Sequence, residues 1–161
     1  MANKLTICGD LSASGSIYGT LDGGVNSNCG TGNTWSGSNA FDSVAAGAQY
    51  NTGYGYTALC DLTTGCRNTG FGAHVLNKTT TGVKNTAIGQ GTLYTNTTGT
   101  CNTASGIYAL YFNTTGVNNT ATGTQSLYCN STGCRNTAVG FQASRNNTTG
   151  CRNLALGAQA L

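Results

Sequence analysis

Residues 136–152 read NTAVGFQASRNNTTGCR, and the same seventeen-residue pattern runs through most of the chain. Its first residue is one of seven asparagines, Asn51, Asn68, Asn85, Asn102, Asn119, Asn136 and Asn153, spaced at that interval with no insertion or deletion. Position 5 of the unit is always Gly, from Gly55 to Gly157, and position 15 is Gly in all six complete units, from Gly65 to Gly150. Position 14 is Thr in all six, and position 9 is Leu in six of seven, with Ser144 the exception. A period this strict implies a stack of equivalent rungs. Helical repeats run about 33 to 47 residues, so a rung this short with two fixed glycines fits short strands and turns. The expected fold is all-β, a parallel β-solenoid or β-roll of 17-residue rungs.

Working outward, residues 51–161 hold six complete units and one partial unit. Residues 15–50 read as two degenerate 18-residue rungs, since Gly19 lies 18 before Gly37 and Asn33 opens a looser copy of the unit. Residues 1–14 alternate Leu5, Ile7 and Leu11 with Thr6, Cys8 and Asp10. That is a half-buried strand pattern, placed where a solenoid carries an atypical cap.

Within a rung, the N-T-x-x-G segment is expected as one strand and the A-L-Y segment around position 9 as a second. N-T-T-G supplies the turn, with Asn and Thr bonding local backbone and Gly accepting positive φ. Rungs about 4.8 Å apart would make nine of them a rod of roughly 40 Å. Position 9 and position 3 (Gly53, Gly70, then Ala) are expected to face inward, as is position 16: Cys66, Val83, Thr100, Val117, Cys134, Cys151. Position 4, which reads Tyr54, Phe71, Ile88, Ser105, Thr122, Val139, Leu156, must point opposite to position 3. With position 3 inside, position 4 is an apolar outer face in need of a partner; the reverse assignment satisfies the alternation equally. A thin rod with few large apolar residues is a weak monomer, so a homo-oligomer is expected, a homotrimer above all.

Composition narrows function. Gly 25, Asn 19 and Thr 28 dominate, Glu and Pro are absent, and Asp supplies all four acidic side chains. Charged residues are 7%, against roughly 25% in ordinary domains. This excludes a charged coiled coil, an acidic tail and a helix-rich enzyme. A net charge of +3 spread over seven basic residues is not the clustered footprint of a nucleic-acid binder. No apolar run reaches the ~18–20 residues of a membrane span, and no apolar segment follows Met1 as in a secretory signal. The single His, His74, and the four Asp, of which Asp10, Asp22 and Asp42 precede the regular units, assemble no nucleophile, base and acid set. No catalytic residue, cofactor or metal is therefore expected, and His74 reads as a surface residue.

Eight cysteines are present, Cys8, Cys29, Cys60, Cys66, Cys101, Cys129, Cys134 and Cys151, with no Cys-x-x-Cys pair. Cys134 and Cys151 share a column on adjacent rungs, which puts their Cα atoms near ~4.8 Å, within disulfide range. Two readings stand, a disulfide there or small reduced hydrophobes throughout. Tyr94, Tyr111 and Tyr128 occupy position 10 of three consecutive units, an aromatic ladder that either stacks on sugar rings or packs structurally. Gln125, Gln142 and Gln159 form a second ladder, and Arg67, Lys84, Arg135 and Arg152 a solvated basic edge. The recurring Asn-x-Ser/Thr triplets at Asn96, Asn113, Asn130 and Asn147 follow from turn chemistry. Thr rows also raise an ice-binding surface, but adjacent positions 13 and 14 should face opposite ways.

The units NTAIGQGTLYTNTTGTCNTASG (85–106) and NTAVGFQASRNNTTGCRNLALG (136–157) resemble repeats in tail-fibre-like structural proteins of bacteriophages, including marine and cyanobacterial ones. The opening LTICGDLSASGSIYGTLDG (5–23) resembles the lead-in of such fibres. N-T-A-x-G is more distantly similar to the head repeats of trimeric autotransporter adhesins, although those have shorter rungs. The resemblance implies a non-enzymatic structural fibre on the virion surface, made in the host cytoplasm without a signal peptide, that serves host attachment. It would bind cell-surface glycans, with head-to-tail stacking a further mode of association. A self-assembling extracellular filament or matrix protein and a cell-surface adhesin are the alternatives.

Overall fold

The computed structural model describes residues 32–45 and 47–161. The expected strand over residues 1–14 and the first degenerate rung, as well as Cys8 and Cys29, fall outside the described residues. Those described form an all-β solenoid with one three-residue strand per turn: β1 (Thr34–Ser36), β2 (Thr52–Tyr54), β3 (Thr69–Phe71), β4 (Thr86–Ile88), β5 (Thr103–Ser105), β6 (Thr120–Thr122), β7 (Thr137–Val139) and β8 (Leu154–Leu156). All pair in parallel in chain order, β1 to β8, in one sheet. The register advances by one repeat unit at each step, as in Thr69↔Thr86, except that Thr34 pairs Thr52, one residue further on. The extra residue of that rung is absorbed in its closing turn, where the Asn33 amide reaches the Ala48 carbonyl at 2.9 Å.

Only one of the two expected strands forms. Positions 6 to 11 are a chain of turns instead, because positions 7 and 9 are left-handed: His74 has φ 57°, Leu76 φ 49°, Tyr108 φ 57° and Leu110 φ 51°. Their backbone groups still pair between rungs. His74 N–H donates back to Tyr56 O at 2.8 Å, while Leu76 N–H donates forward to Thr92 O at 3.0 Å. A left-handed residue with a Cβ costs about 1–2 kcal/mol, and burying a leucine side chain returns roughly 1.5–3 kcal/mol. Leu59, Leu76, Leu93, Leu110 and Leu127 are fully buried, so burial and the inter-rung bonds together hold position 9 in this conformation.

The two glycine columns have different causes. Position 5 lies at φ between 112° and 138° from Gly55 to Gly157, a region essentially closed to other residues. The positive φ expected at position 15 does not occur. There the constraint is close approach: a Cβ on Gly116 would collide with Asn113 Oδ1 of its own rung and lie 2.6 Å from the Gly133 carbonyl oxygen of the next. The left-handed turn residue is instead position 17, where Arg67, Lys84, Cys101, Asn118, Arg135 and Arg152 take φ between 56° and 62°.

The crowding at position 15 reflects how the turn bonds. The N–H groups of Thr80, Thr81 and Gly82 all donate to Thr97 O, at 3.0, 3.2 and 3.1 Å. The Thr80 hydroxyl joins them at 3.1 Å, and the pattern repeats along position 13. These hydroxyls are therefore engaged within the stack.

Two asparagine columns run through the interior. Asn85 Nδ2 donates to Asn68 Oδ1 at 3.0 Å and to Gly99 O of its own rung at 2.9 Å, and Asn85 N–H donates to the same Asn68 Oδ1 at 3.0 Å. A second column at position 12 links Asn113 Nδ2 to Asn96 Oδ1 at 2.7 Å, then Asn130 to Asn113 and Asn147 to Asn130. The side chains of Asn96, Asn113 and Asn130 are fully buried. The Asn-x-Ser/Thr triplets are thus internal hydrogen-bonding positions.

The core is a column of Leu at position 9 facing the Ala column Ala87, Ala104, Ala121, Ala138 and Ala155, with Phe41 at its N-terminal end. This settles the strand orientation: position 3 is inside and position 4 outside. Position 16 is a correction, because Cys66, Val83, Thr100, Val117 and Cys134 are half-buried and Cys151 is exposed.

Substituting Asn102→Ala removes the acceptor of Asn119 N–H and Nδ2 and the donor to Asn85 Oδ1 and Gly116 O. It should cost about 3 kcal/mol, from several orphaned buried groups, measured by denaturant unfolding. Lys84→Asn should instead stabilise by about 0.5–1 kcal/mol, because Asn tolerates the left-handed region better, read as a raised Tm.

Candidate functional site

Position 10 projects from the turn that follows the buried leucine, so Tyr94, Tyr111 and Tyr128 fall one above another. Their rings stack, Tyr94 on Tyr111 at 5.0 Å and 4° and Tyr111 on Tyr128 at 5.4 Å and 19°. Tyr111 also meets Tyr108 and Phe112 edge-on at 5.4 and 4.8 Å. Burial, with the neighbouring phenols of Tyr94, Tyr128 and Tyr108, pushes the Tyr111 phenol up from its ordinary value. Stacking turns the ring faces toward one another, so the ladder cannot act along its length as a platform for sugar faces.

What remains is its two ends. At one end the Arg145 guanidinium lies over the Tyr128 ring, 5.1 Å from its centroid. At the other, the face of Tyr94 remote from Tyr111 looks toward the preceding rung, where position 10 is Asn77. That side chain is buried and turned inward, donating to Thr57 O at 2.9 Å. An open cleft of about 280 Å³ lies there, lined by His74, Gln90, Gly91, Tyr94, Tyr108 and Tyr111.

Position 7 makes the cleft. Gly91 interrupts a column of larger residues between His74 and Tyr108. A Cβ on Gly91 would lie 2.7 Å from Tyr108 Cδ1, so its absence lets the Tyr108 ring lean across the gap. His74 stands on the opposite side, edge-on to Tyr56 and Tyr94 at 5.2 and 6.4 Å. Its Nδ1 is 2.8 Å from the Thr57 hydroxyl, which orients the ring and leaves Nε2 for a ligand. The cleft therefore combines an aromatic face with an imidazole and the exposed Gln90 amide and contains no carboxylate. Such a set suits a neutral, hydroxyl-bearing ring.

The repeat pattern singles out the three tyrosines and places His74 only at the surface; Gln90, Gly91 and Tyr108 join the cleft through the stacking of rungs. The one available signal was Gly91, the single glycine at position 7. The glutamine ladder forms as expected, with Gln142 Nε2 donating to Gln125 Oε1 at 2.7 Å. Arg67, Lys84, Arg135 and Arg152 are exposed, as expected of a basic edge, and Arg67 lies 5.9 Å over Tyr50. Cys134 and Cys151 come together as free thiols, with Cys134 N–H donating to Cys151 Sγ at 3.0 Å. Among the described residues, no three His, Cys, Asp or Glu side chains gather in metal-binding distance.

Replacing Tyr111 by Ala breaks both stacked pairs and two edge contacts together. It should cost about 2–3 kcal/mol at about 0.5–1.5 kcal/mol per aromatic pair, with Tyr128→Ala costing less, both by thermal unfolding. The chain matches no protein-family model, no curated protein and no solved structure.

Proposed function

We propose that this chain is a non-enzymatic structural fibre protein, a homotrimeric β-rod carried on a virion surface in the manner of a phage tail fibre, which attaches to host surface glycans. The observation that carries this reading is the outer face of the sheet. Tyr54, Phe71, Ile88, Val139 and Leu156 stand exposed in one column, with Tyr56, Ile107 and Phe141 exposed beside them. The eight strands run roughly 34 Å along the axis at about 4.8 Å per step. Ser36, Ser105 and Thr122 interrupt the column, which leaves two exposed apolar patches, one of Tyr54, Phe71 and Ile88 and one of Val139 and Leu156, that association between copies would cover. Three rods sharing an axis along position 4 would cover these patches, and the Tyr94 cleft, whose Gln90 stands in the position 6 column with Tyr56, Ile107 and Phe141, would open at the rim of the covered face.

The mechanism is mechanical and multivalent. A small, open cleft binds one sugar ring weakly. Several copies held at fixed spacing on a stiff rod convert weak contacts into avidity. The one-strand rung favours stiffness, since each turn is bonded to its neighbours through backbone and asparagine side chains alike.

Light scattering with negative-stain microscopy tests the assembly. A discrete trimer, with three times the 16.3 kDa mass of one chain and the shape of a short rod, is expected. A stable monomer would overturn the reading, and long polymers would replace it with a self-assembling filament. Binding to immobilised neutral glycans, weakened at least tenfold by Tyr94→Ala in a protein that still forms the trimer, tests the cleft.

A further inference from the structure

We propose that Cys134 and Cys151 form a redox-operated staple between adjacent rungs, with Cys151 as the attacking thiol and Cys134 as the resolving one, closed by low-molecular-weight disulfides such as oxidised glutathione. Both sit at position 16, and Arg152 N–H donates to Cys134 O at 2.9 Å, so the two rungs are in register at this point. The Cα atoms are then about 4.8 Å apart, inside the roughly 4.4–6.8 Å that disulfides bridge. The Cys134 amide holds the Cys151 sulfur at 3.0 Å, which fixes it beside the partner side chain. Cys151 is exposed and Cys134 half-buried, so a small disulfide can reach both.

The two thiols are not equivalent. The Cys134 thiol and amide both donate to the Cys151 sulfur, and Arg152 and Arg135 lie close by; together these lower the Cys151 pKa. Cys134, which gives its proton to that contact, is held up. As a neutral thiol Cys151 donates to Thr149 O at 3.6 Å, an exposed contact that ionisation releases. No other described cysteine is so placed. Cys66 shares its column with Val83 in the next rung, and Cys60, Cys101 and Cys129 lie in three other columns.

The chemistry balances in two exchanges. The Cys151 thiolate attacks one sulfur of oxidised glutathione, forming a mixed disulfide and expelling one glutathione thiolate. Cys134 then loses its proton to solvent and attacks the Cys151 sulfur. The Cys134–Cys151 bond forms as the second glutathione thiolate leaves. Two protein thiols are oxidised and one glutathione disulfide is reduced. The product closes a covalent ring across one rung and ties it to the next.

The test exposes the reduced full chain to glutathione buffers of increasing oxidised fraction, followed by alkylation, denaturation and tryptic digestion. The expected product is a cross-link between the fragments 85–135 and 146–152, with the intact mass lower by two hydrogens and a Tm several degrees higher. Cys134→Ser should accumulate glutathione on Cys151, and Cys151→Ser should slow modification of the pair several-fold. A wild-type chain that accumulates a stable glutathione adduct without the cross-link would overturn the proposal. So would modification of Cys134 as fast as that of Cys151.

Discussion

From Asn51 to Asn102, each buried asparagine at position 1 donates to the carbonyl of position 15 that closes its own rung and accepts from both the backbone N–H and the side-chain amide of the asparagine one rung on. Asn119 and Asn136 accept only the backbone N–H. Asn102 shows the full set, accepting from Asn119 N–H and Nδ2 while donating to Asn85 Oδ1 and Gly116 O. A slip of one residue would leave several of these groups unpaired in the interior, at about 1–3 kcal/mol each. The column therefore sets rung length as much as it stabilises the stack. Leu, Ala, Gly and Tyr columns stay aligned because this spacing does not drift.

That constraint explains the unusual backbone. A closed rung of this length with a single three-residue strand must bend sharply elsewhere, and it does so at four positive-φ positions, 5, 7, 9 and 17. Gly meets the demand at position 5. The others carry mostly residues with a Cβ, among them Leu, His, Tyr, Gln, Thr, Ser, Cys, Arg and Lys, while Gly91 and Asn118 are the exceptions suited to the region. Strain at those residues is distributed over every turn and opposed by leucine burial and by bonds to both neighbouring rungs. A rung alone could not hold it, which ties the local conformation to the presence of the stack.

The same stacking shapes the surface. Identical columns place tyrosines face to face, which closes their faces to ligands and leaves only the ends of the ladder chemically distinct. One end meets Arg145 and the other opens on the Gly91 notch. The chemically distinct positions on this surface are those where a column changes residue type, at Gly91, His74 and Tyr108, and the adjacent thiols of Cys134 and Cys151 in column 16.

Much of this was legible from residues alone. The strict period specified a parallel stack, because in-register repetition is the only economical way to satisfy identical short units. Position 9 was identifiable as interior from its uniformity, and Cys134 and Cys151 as neighbours from their shared column. Three things were decided only by the folded chain. The A-L-Y segment became turns because left-handed residues at positions 7 and 9 curl it, a conformation that Leu and His do not announce. Position 15 requires Gly because the position 12 side chain of its own rung and the backbone of the next rung both crowd it, an arrangement that exists only in the folded stack. Which face of the strand is buried, and which face of each tyrosine stays open, depended on packing across rungs, because alternation along one strand fixes opposition of neighbours but carries no information about which side is the core.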